Sequence, residues 1–250
     1  MTDSLKARLA AGETLYGTFL SLGSPLAAEA CGVAGLDWLL VDLEHGGGDE
    51  SLLLAQLLAA RSAGVPALVR VESGQRSRVL RALDLGADGI MFPQVHSTAL
   101  ATEWCAHLHY GPLGTRGVAL GHRGARFGME PDAIGRAGDR TVGIAQIESP
   151  EAVEEVEGIA AVEAIDVLFV GPNDLSFAMG CFQQFDDPRF RAALERVVAA
   201  ARDSGKAAGI MCFDGAGARA AVADGFRFIA LSSDSSLLVK GVRQALADAR

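Results

Sequence analysis

The chain has 250 residues, is half apolar with abundant Gly and few aromatics, and carries a formal net charge of -9. That length suits one large barrel or two small domains with a substantial core, and the acidic balance, uninterrupted by any Lys/Arg run, excludes a nucleic-acid-binding surface. Cys31, Cys105, Cys181 and Cys212 are isolated, and neither a signal-peptide core nor an apolar run of about 18 residues is present, so a reduced, cytoplasmic protein with no membrane partner is expected.

From Thr14 onward, short apolar runs alternate with longer amphipathic ones. Strands are predicted at 16–20, 38–43, 67–71, 89–93, 142–147, 167–170, 207–211 and 226–231. Helices are predicted at 25–33, 50–62, 76–85, 98–108, 150–158, 188–203, 217–223 and 235–247. The clearest helix is 188–203, where Phe190, Leu194, Val197, Val198 and Ala201 recur at three- and four-residue intervals on one stripe. Eight strands with intervening helices and no Pro/Ser-rich linker predict a single-domain (β/α)₈ barrel over residues 1–250. A doubly wound open sheet would use the same pattern, but no GxGxxG follows the first strand. One long irregular segment, 110–130, is rich in Gly and holds Arg116, Arg123 and Arg126; such a segment on a compact barrel serves as a lid, a binding loop or an oligomer contact.

In parallel α/β architectures, residues just beyond the carboxyl ends of strands converge on the functional face. Those positions hold Asp42, Glu44 and His45 after the second strand, Arg70 after the third and Gln94 after the fourth. Gln146 and Glu148 follow the fifth, and Asn173 and Asp174 the sixth. Such a polar set is expensive to desolvate unless its members pair with each other, a metal or a ligand. Glu148 and Asp174, from neighbouring strands, suit a hard divalent cation, although each would equally serve as an ordinary cap. Histidine is the natural general acid/base near neutral pH, and His45 sits before Gly46-Gly-Gly48, which would let a ligand come close. Arg70 presents a planar fork matched to a carboxylate or enolate; a structural ion pair with Asp42 or Glu72 would explain it as well. The three lysines, Lys6, Lys206 and Lys240, lie outside this set, so carbonyl chemistry here would rely on a metal rather than an iminium. Asp214-Gly-Ala-Gly217 would cradle a phosphate or form a plain βα turn.

Several motifs together resemble the HpcH/HpaI aldolase and citrate lyase superfamily, in its metal-dependent class II pyruvate aldolase branch. They are Asp42-Leu-Glu-His45, Leu83-Asp-Leu-Gly-Ala-Asp-Gly89, Met91-Phe-Pro93, Arg116-Gly-Val118 with Arg126-Phe-Gly128, Gln146-Ile-Glu-Ser149, and Gly171-Pro-Asn-Asp-Leu-Ser176. The resemblance implies reversible cleavage of 4-hydroxy-2-oxo acids to pyruvate, or a close 2-oxo acid such as hydroxypyruvate, and an aldehyde. By matching motif, Glu148 and Asp174 would hold Mg²⁺, Mn²⁺ or Co²⁺, Arg70 would stabilise the enolate, and His45 would support proton transfer. Asp84 would partner this His, within its own subunit or across an interface, with Asp42 flanking. Gln146, Asn173 and Asp174 would bind the acid. A homo-oligomer, hexamer or trimer, is implied, with the C-terminal helix packing on a neighbour through Leu237-Leu-Val239. The chain departs from the family pattern at Gly46-Gly-Gly48, where a Pro is common. Two other readings stand beside this one: an acyl-CoA or phosphoenolpyruvate lyase of the same superfamily, and a non-catalytic ligand-binding barrel.

Overall fold

A computed structural model describes residues 4–250; the first three residues of the N-terminal stretch considered above lie outside the described residues. The elements run α1 (Leu5–Ala10), β1 (Leu15–Leu20), α2 (Pro25–Val33), β2 (Trp38–Asp42), α3 (Glu50–Ser62), β3 (Ala67–Arg70), α4 (Arg76–Asp84), β4 (Gly89–Phe92) and α5 (Thr98–Cys105). They continue with β5 (Val142–Ile147), α6 (Pro150–Glu154), α7 (Val156–Ala160), β6 (Val167–Val170), α8 (Pro172–Ala178), α9 (Pro188–Asp203), β7 (Ala207–Cys212), α10 (Gly215–Ala223), β8 (Phe228–Ser233) and α11 (Asp234–Asp248). Each strand pairs in parallel with the next, and β8 returns to β1, closing an eight-stranded (β/α)₈ barrel. No helix among the described residues is long and apolar enough to cross a membrane.

Continuous apolar runs are what a strand buried on both faces requires, and the barrel separates them into two layers. Leu15, Phe19, Trp38, Leu40, Leu68, Ile144, Phe169 and Phe228 fill the interior, where Trp38 stacks on Phe228 with centroids 4.1 Å apart. Alternate residues such as Leu39, Val69, Ile90, Ala145 and Leu168 face the helices. The helix α1, absent from the expected set, plugs the barrel: Leu5 and Leu9 join the interior layer, and Ser4 caps it by accepting from the Ala7 amide at 3.2 Å. Six residues with only two apolar anchors carry too little periodicity to read as a helix from sequence.

Most boundaries fall within three residues of expectation, and four differences have a visible cause or consequence. The β8 strand begins two residues late, because Phe226 is drawn back to the end of α10, its amide donating to the Ala221 carbonyl at 3.0 Å. The single helix expected at 150–158 is broken at Glu155 into α6 and α7. A helical turn, α8, stands where a simple turn was expected, nucleated by Pro172 at its first position. The irregular segment runs from 109 through 141, with short 3₁₀ turns and one bridge between Tyr110 and Arg116. All four cysteines are free thiols, and three of them are buried.

Candidate active site

The polar residues expected at the strand ends meet in one connected line across β2, β3 and β5. Arg70, at the end of β3, is 8% exposed. Its fork closes on Asp42 in two parallel bonds, Nε to Oδ1 at 2.9 Å and Nη2 to Oδ2 at 2.7 Å. Of the two ion pairs the sequence left open, the structure builds the one with Asp42; Glu72 pairs instead with Arg78. The remaining nitrogen, Nη1, lies 3.1 Å from Glu44 Oε2 and donates to Gln146 Oε1 at 3.5 Å. Phe19 backs the guanidinium, its ring centroid 5.1 Å from Cζ. Gln146 in turn donates from Nε2 to Glu148 Oε2 at 2.5 Å.

Asp42 does more than balance Arg70. Its Oδ1 also accepts from the amides of Glu44 at 3.0 Å and His45 at 3.2 Å, an Asx-type turn that fixes the loop after β2. That turn directs His45 outward, where its side chain is 71% exposed and Nε2 lies 4.0 Å from Glu44 Oε2. The glycine run has a packing cause. A Cβ on Gly46 would collide with the Asp42 carbonyl, Gly23 meets Gly48 backbone to backbone, and the Gly47 amide donates to the Ser21 carbonyl at 2.8 Å. Ligand approach is therefore not needed to explain Gly46-Gly-Gly48.

Glu148 is buried just beyond β5, and it does not cap the following helix; Ser149 does, accepting from the Ala152 amide at 3.2 Å. Its Oε1 accepts at 2.7 Å from the amide of Gln94, a non-glycine residue held at φ 50°, the kind of backbone strain that persists where the surroundings enforce it. Burial pushes the Glu148 carboxyl up to about 7; the Asp174 and Glu44 charges push the same way, while the Gln94 amide and Arg70 oppose it. Burial likewise raises Glu44, against the pull of Arg70 and His45. Asp174 projects from the first turn of α8 and is exposed. Beside it, Asn173 holds a buried Oδ1 with no hydrogen-bond partner among the described residues. A side chain on Gly171 would place a Cβ 2.7 Å from Glu148 Oε2 and 3.0 Å from Gln146 Nε2, so only glycine leaves the space between them open.

One candidate lies elsewhere. Asp84 ends α4 at the amino-terminal end of the barrel, where it accepts from Arg116 Nη2 at 3.0 Å and lies 3.4 Å from His122 Nε2. Within one chain it is therefore not brought to His45. Two contributors went unassigned in the sequence: Glu44, which touches both Arg70 and His45, and the Gln94 amide. The first was visible as a flanking acid; the second, a backbone group, has no residue signature.

The arrangement presents several acidic oxygens facing one fixed guanidinium, with an exposed imidazole at the rim. Comparison with known proteins bears on what such a cleft does. The family model described as HpcH/HpaI aldolase/citrate lyase matches residues 15–241. A hydroxypyruvate/pyruvate aldolase of Paraburkholderia phytofirmans is 42% identical, the match covering 100% of this chain and 98% of that protein. A 5-keto-4-deoxy-D-glucarate aldolase of Klebsiella pneumoniae is 36% identical over 99% of this chain and 96% of its own. The crystal structure of an HpcH/HpaI aldolase/citrate lyase family protein from Burkholderia cenocepacia superposes with a TM-score of 0.95 at 41% identity, covering 100% of both chains.

Proposed function

The chain belongs to the HpcH/HpaI aldolase/citrate lyase family, and on that premise we propose that it is a divalent-metal-dependent carbon–carbon lyase. It reversibly cleaves 4-hydroxy-2-oxo acids to pyruvate, or a close 2-oxo acid such as hydroxypyruvate, and an aldehyde. The observation that carries this reading is the unbroken line Asp42–Arg70–Gln146–Glu148 across adjacent strand ends, electrostatically coupled to Asp174.

The residues fit a hard dication. Burial penalises the ionised Glu148 carboxylate, and the charges of Asp174 and Glu44 add to that penalty, a repulsion that a cation relieves. Gly171 keeps the space beside it open. Glu148 and Asp174, whose charge raises the cost of ionising Glu148, would make a two-carboxylate donor set of the kind Mg²⁺ and Mn²⁺ use with water and substrate; among the described residues no group of three or more His, Cys, Asp or Glu converges. When bound there, the metal supplies Lewis acidity toward the keto group.

The chain's own side chains do the rest. Arg70, locked by Asp42 and backed by Phe19, offers a fixed guanidinium charge where enolate charge develops. Gln146 bridges that guanidinium to the Glu148 carboxylate and sets their spacing. His45, exposed and close to Glu44, exchanges protons with solvent and reactant at the rim. The lysines take no part: Lys6 pairs with Asp166, Lys206 donates to the Val162 carbonyl, and Lys240, on the barrel rim, donates to the Phe213 carbonyl. The α11 helix leaves Leu237, Leu238, Val239, Val242 and Leu246 exposed, a stripe too long for a solvated surface, and we assign it to contact with a second copy of the chain.

The test is release of pyruvate from a 4-hydroxy-2-oxo acid. Chelation should abolish release and Mg²⁺ or Mn²⁺ restore it, and Glu148→Gln should lower kcat on the order of a thousandfold. Release that survives chelation, or a borohydride-trapped lysine adduct, overturns the assignment; strict dependence on a CoA thioester transfers it to the lyase branch.

A further inference from the structure

The arginines of the irregular segment are not used by the site above. They line a cavity of about 400 Å³ at the opposite end of the barrel, between the ends of α3 and α4 and the starts of β4 and β5. Arg61, Arg116, Arg126 and Arg140 face it together with His122, and Arg123 packs beside it, donating to the Leu85 carbonyl at 2.7 Å. The acids present are Asp84, Asp88 and Glu130, and each is already engaged: Asp84 by Arg116, Asp88 by the Ala67 amide at 2.9 Å, and Glu130 by Arg140 at 2.5 Å. Five guanidinium groups against three carboxylates leave an excess of positive charge, in a chain whose net charge is -9.

Donors, not acceptors, are left over. Arg116 is 7% exposed, and its buried Nε has no hydrogen-bond partner among the described residues; the same holds for Arg123 Nη2 and His122 Nε2. His122 Nδ1 accepts from the Ala125 amide at 3.1 Å, so in the neutral ring Nε2 carries the proton and is a donor too. Burial, and then the charge of Arg61, hold the Arg123 guanidinium below its ordinary value. A purely structural ion network satisfies its own donors, since an unpaired buried donor costs about 1–3 kcal/mol. Arg116 Nε and His122 Nε2 belong to residues that line the cavity, and His122 Nε2 faces only Asp84 Oδ1, 3.4 Å away and already taken by Arg116; an acceptor in the cavity would satisfy both.

We propose that this cavity is a binding site for a small oxyanion, a phosphate or carboxylate group, held by Arg116 Nε with Arg61 and Arg126 at its mouth. The volume falls in the range of small-metabolite sites, so the oxyanion can be free or carried on a small molecule. Because Arg116 also holds Asp84, the ligand competes with that carboxylate for one guanidinium.

Inorganic phosphate is the probe, titrated by calorimetry into the intact protein at constant ionic strength, with succinate as a carboxylate arm. Saturable binding is expected for at least one of the two, and the arm that binds more tightly identifies the group. Arg116→Gln should abolish it. Should that variant fail to fold, the double variant Arg61→Gln/Arg126→Gln, both exposed in the structure, decides: it should weaken binding about tenfold without lowering Tm in the absence of ligand. No saturable binding in either arm, unchanged affinity in the double variant, or displacement of the probe by pyruvate with Mg²⁺ overturns the proposal.

Discussion

Asp42, which flanks His45, is a brace for the whole strand end. It accepts four hydrogen bonds: at Oδ2 from Arg70 Nη2, and at Oδ1 from Arg70 Nε and the amides of Glu44 and His45. At 4% exposure it is shielded from solvent. Under the proposed function its contribution runs through Arg70, whose fork it orients, and through the turn that aims His45. Asp42→Asn keeps the shape and removes the charge, leaving a buried guanidinium with only the half-buried Glu44 as counter-ion. It should destabilise by about 2–4 kcal/mol in denaturant titration and lower kcat by about a hundredfold. The pH profile of the residual rate should keep its limbs, because Asp42 acts through the placement of Arg70 and His45 and not on the reactant. A shifted limb would show Asp42 to be an acid or base in its own right.

At the level of elements, the repeating pattern of apolar runs was legible because a parallel strand buried on both faces must be apolar throughout, whatever its neighbours are. The strands β5 and β6 accordingly fall where the sequence put them. Less legible were features decided by tertiary contact. The α1 plug is helical because it has a barrel mouth to fill, and β8 starts late because Phe226 belongs to the end of α10. At the site, side chains were readable and backbone was not: Arg70, Gln146 and Glu148 could be picked out by type, while the Gln94 amide and the open space at Gly171 could not. Gly17 in β1 is another such position. Any Cβ there would enter the ring of Trp38, which itself stacks on Phe228 of β8, so glycine is what lets three strands close around the indole. Gly17→Ala should cost about 1–3 kcal/mol, read as a fall in Tm of about 2–12 °C for a domain of this size. Combining it with Trp38→Phe, which shrinks the obstructing ring, should recover part of that loss. Strict additivity of the two variants in a double-mutant cycle would refute the steric account.

For the molecule as a whole, the placement of its buried acids makes stability depend on pH in an unusual direction. Burial raises Glu148 to about 7, and Asp88 and Asp166, at the amino-terminal end of the barrel, are also raised. Between the unfolded and folded pKa values of such a group the folded state binds more protons than the unfolded one, so stability falls as pH rises. For Glu148 the favourable contribution is complete below about pH 4.5, the ordinary value, and is lost as pH climbs through about 7; the difference is on the order of 3 kcal/mol. Asp88 and Asp166 add to the same slope, so wild type alone does not isolate the site. Glu148→Gln does, because the amide keeps the shape without the titration. Metal-free wild type should thus lose stability between pH 5 and pH 8 more steeply than Glu148→Gln, compared in denaturant at one protein concentration so that association does not intrude. At pH 8, millimolar Mg²⁺ or Mn²⁺ should restore the difference in wild type and leave the variant unmoved, since the cation stabilises the ionised carboxylate that burial penalises. Coincident pH slopes for the two proteins would mean that Glu148 is not the strained acid of the cleft, and the case for a cation beside Asp174 would lose its electrostatic basis.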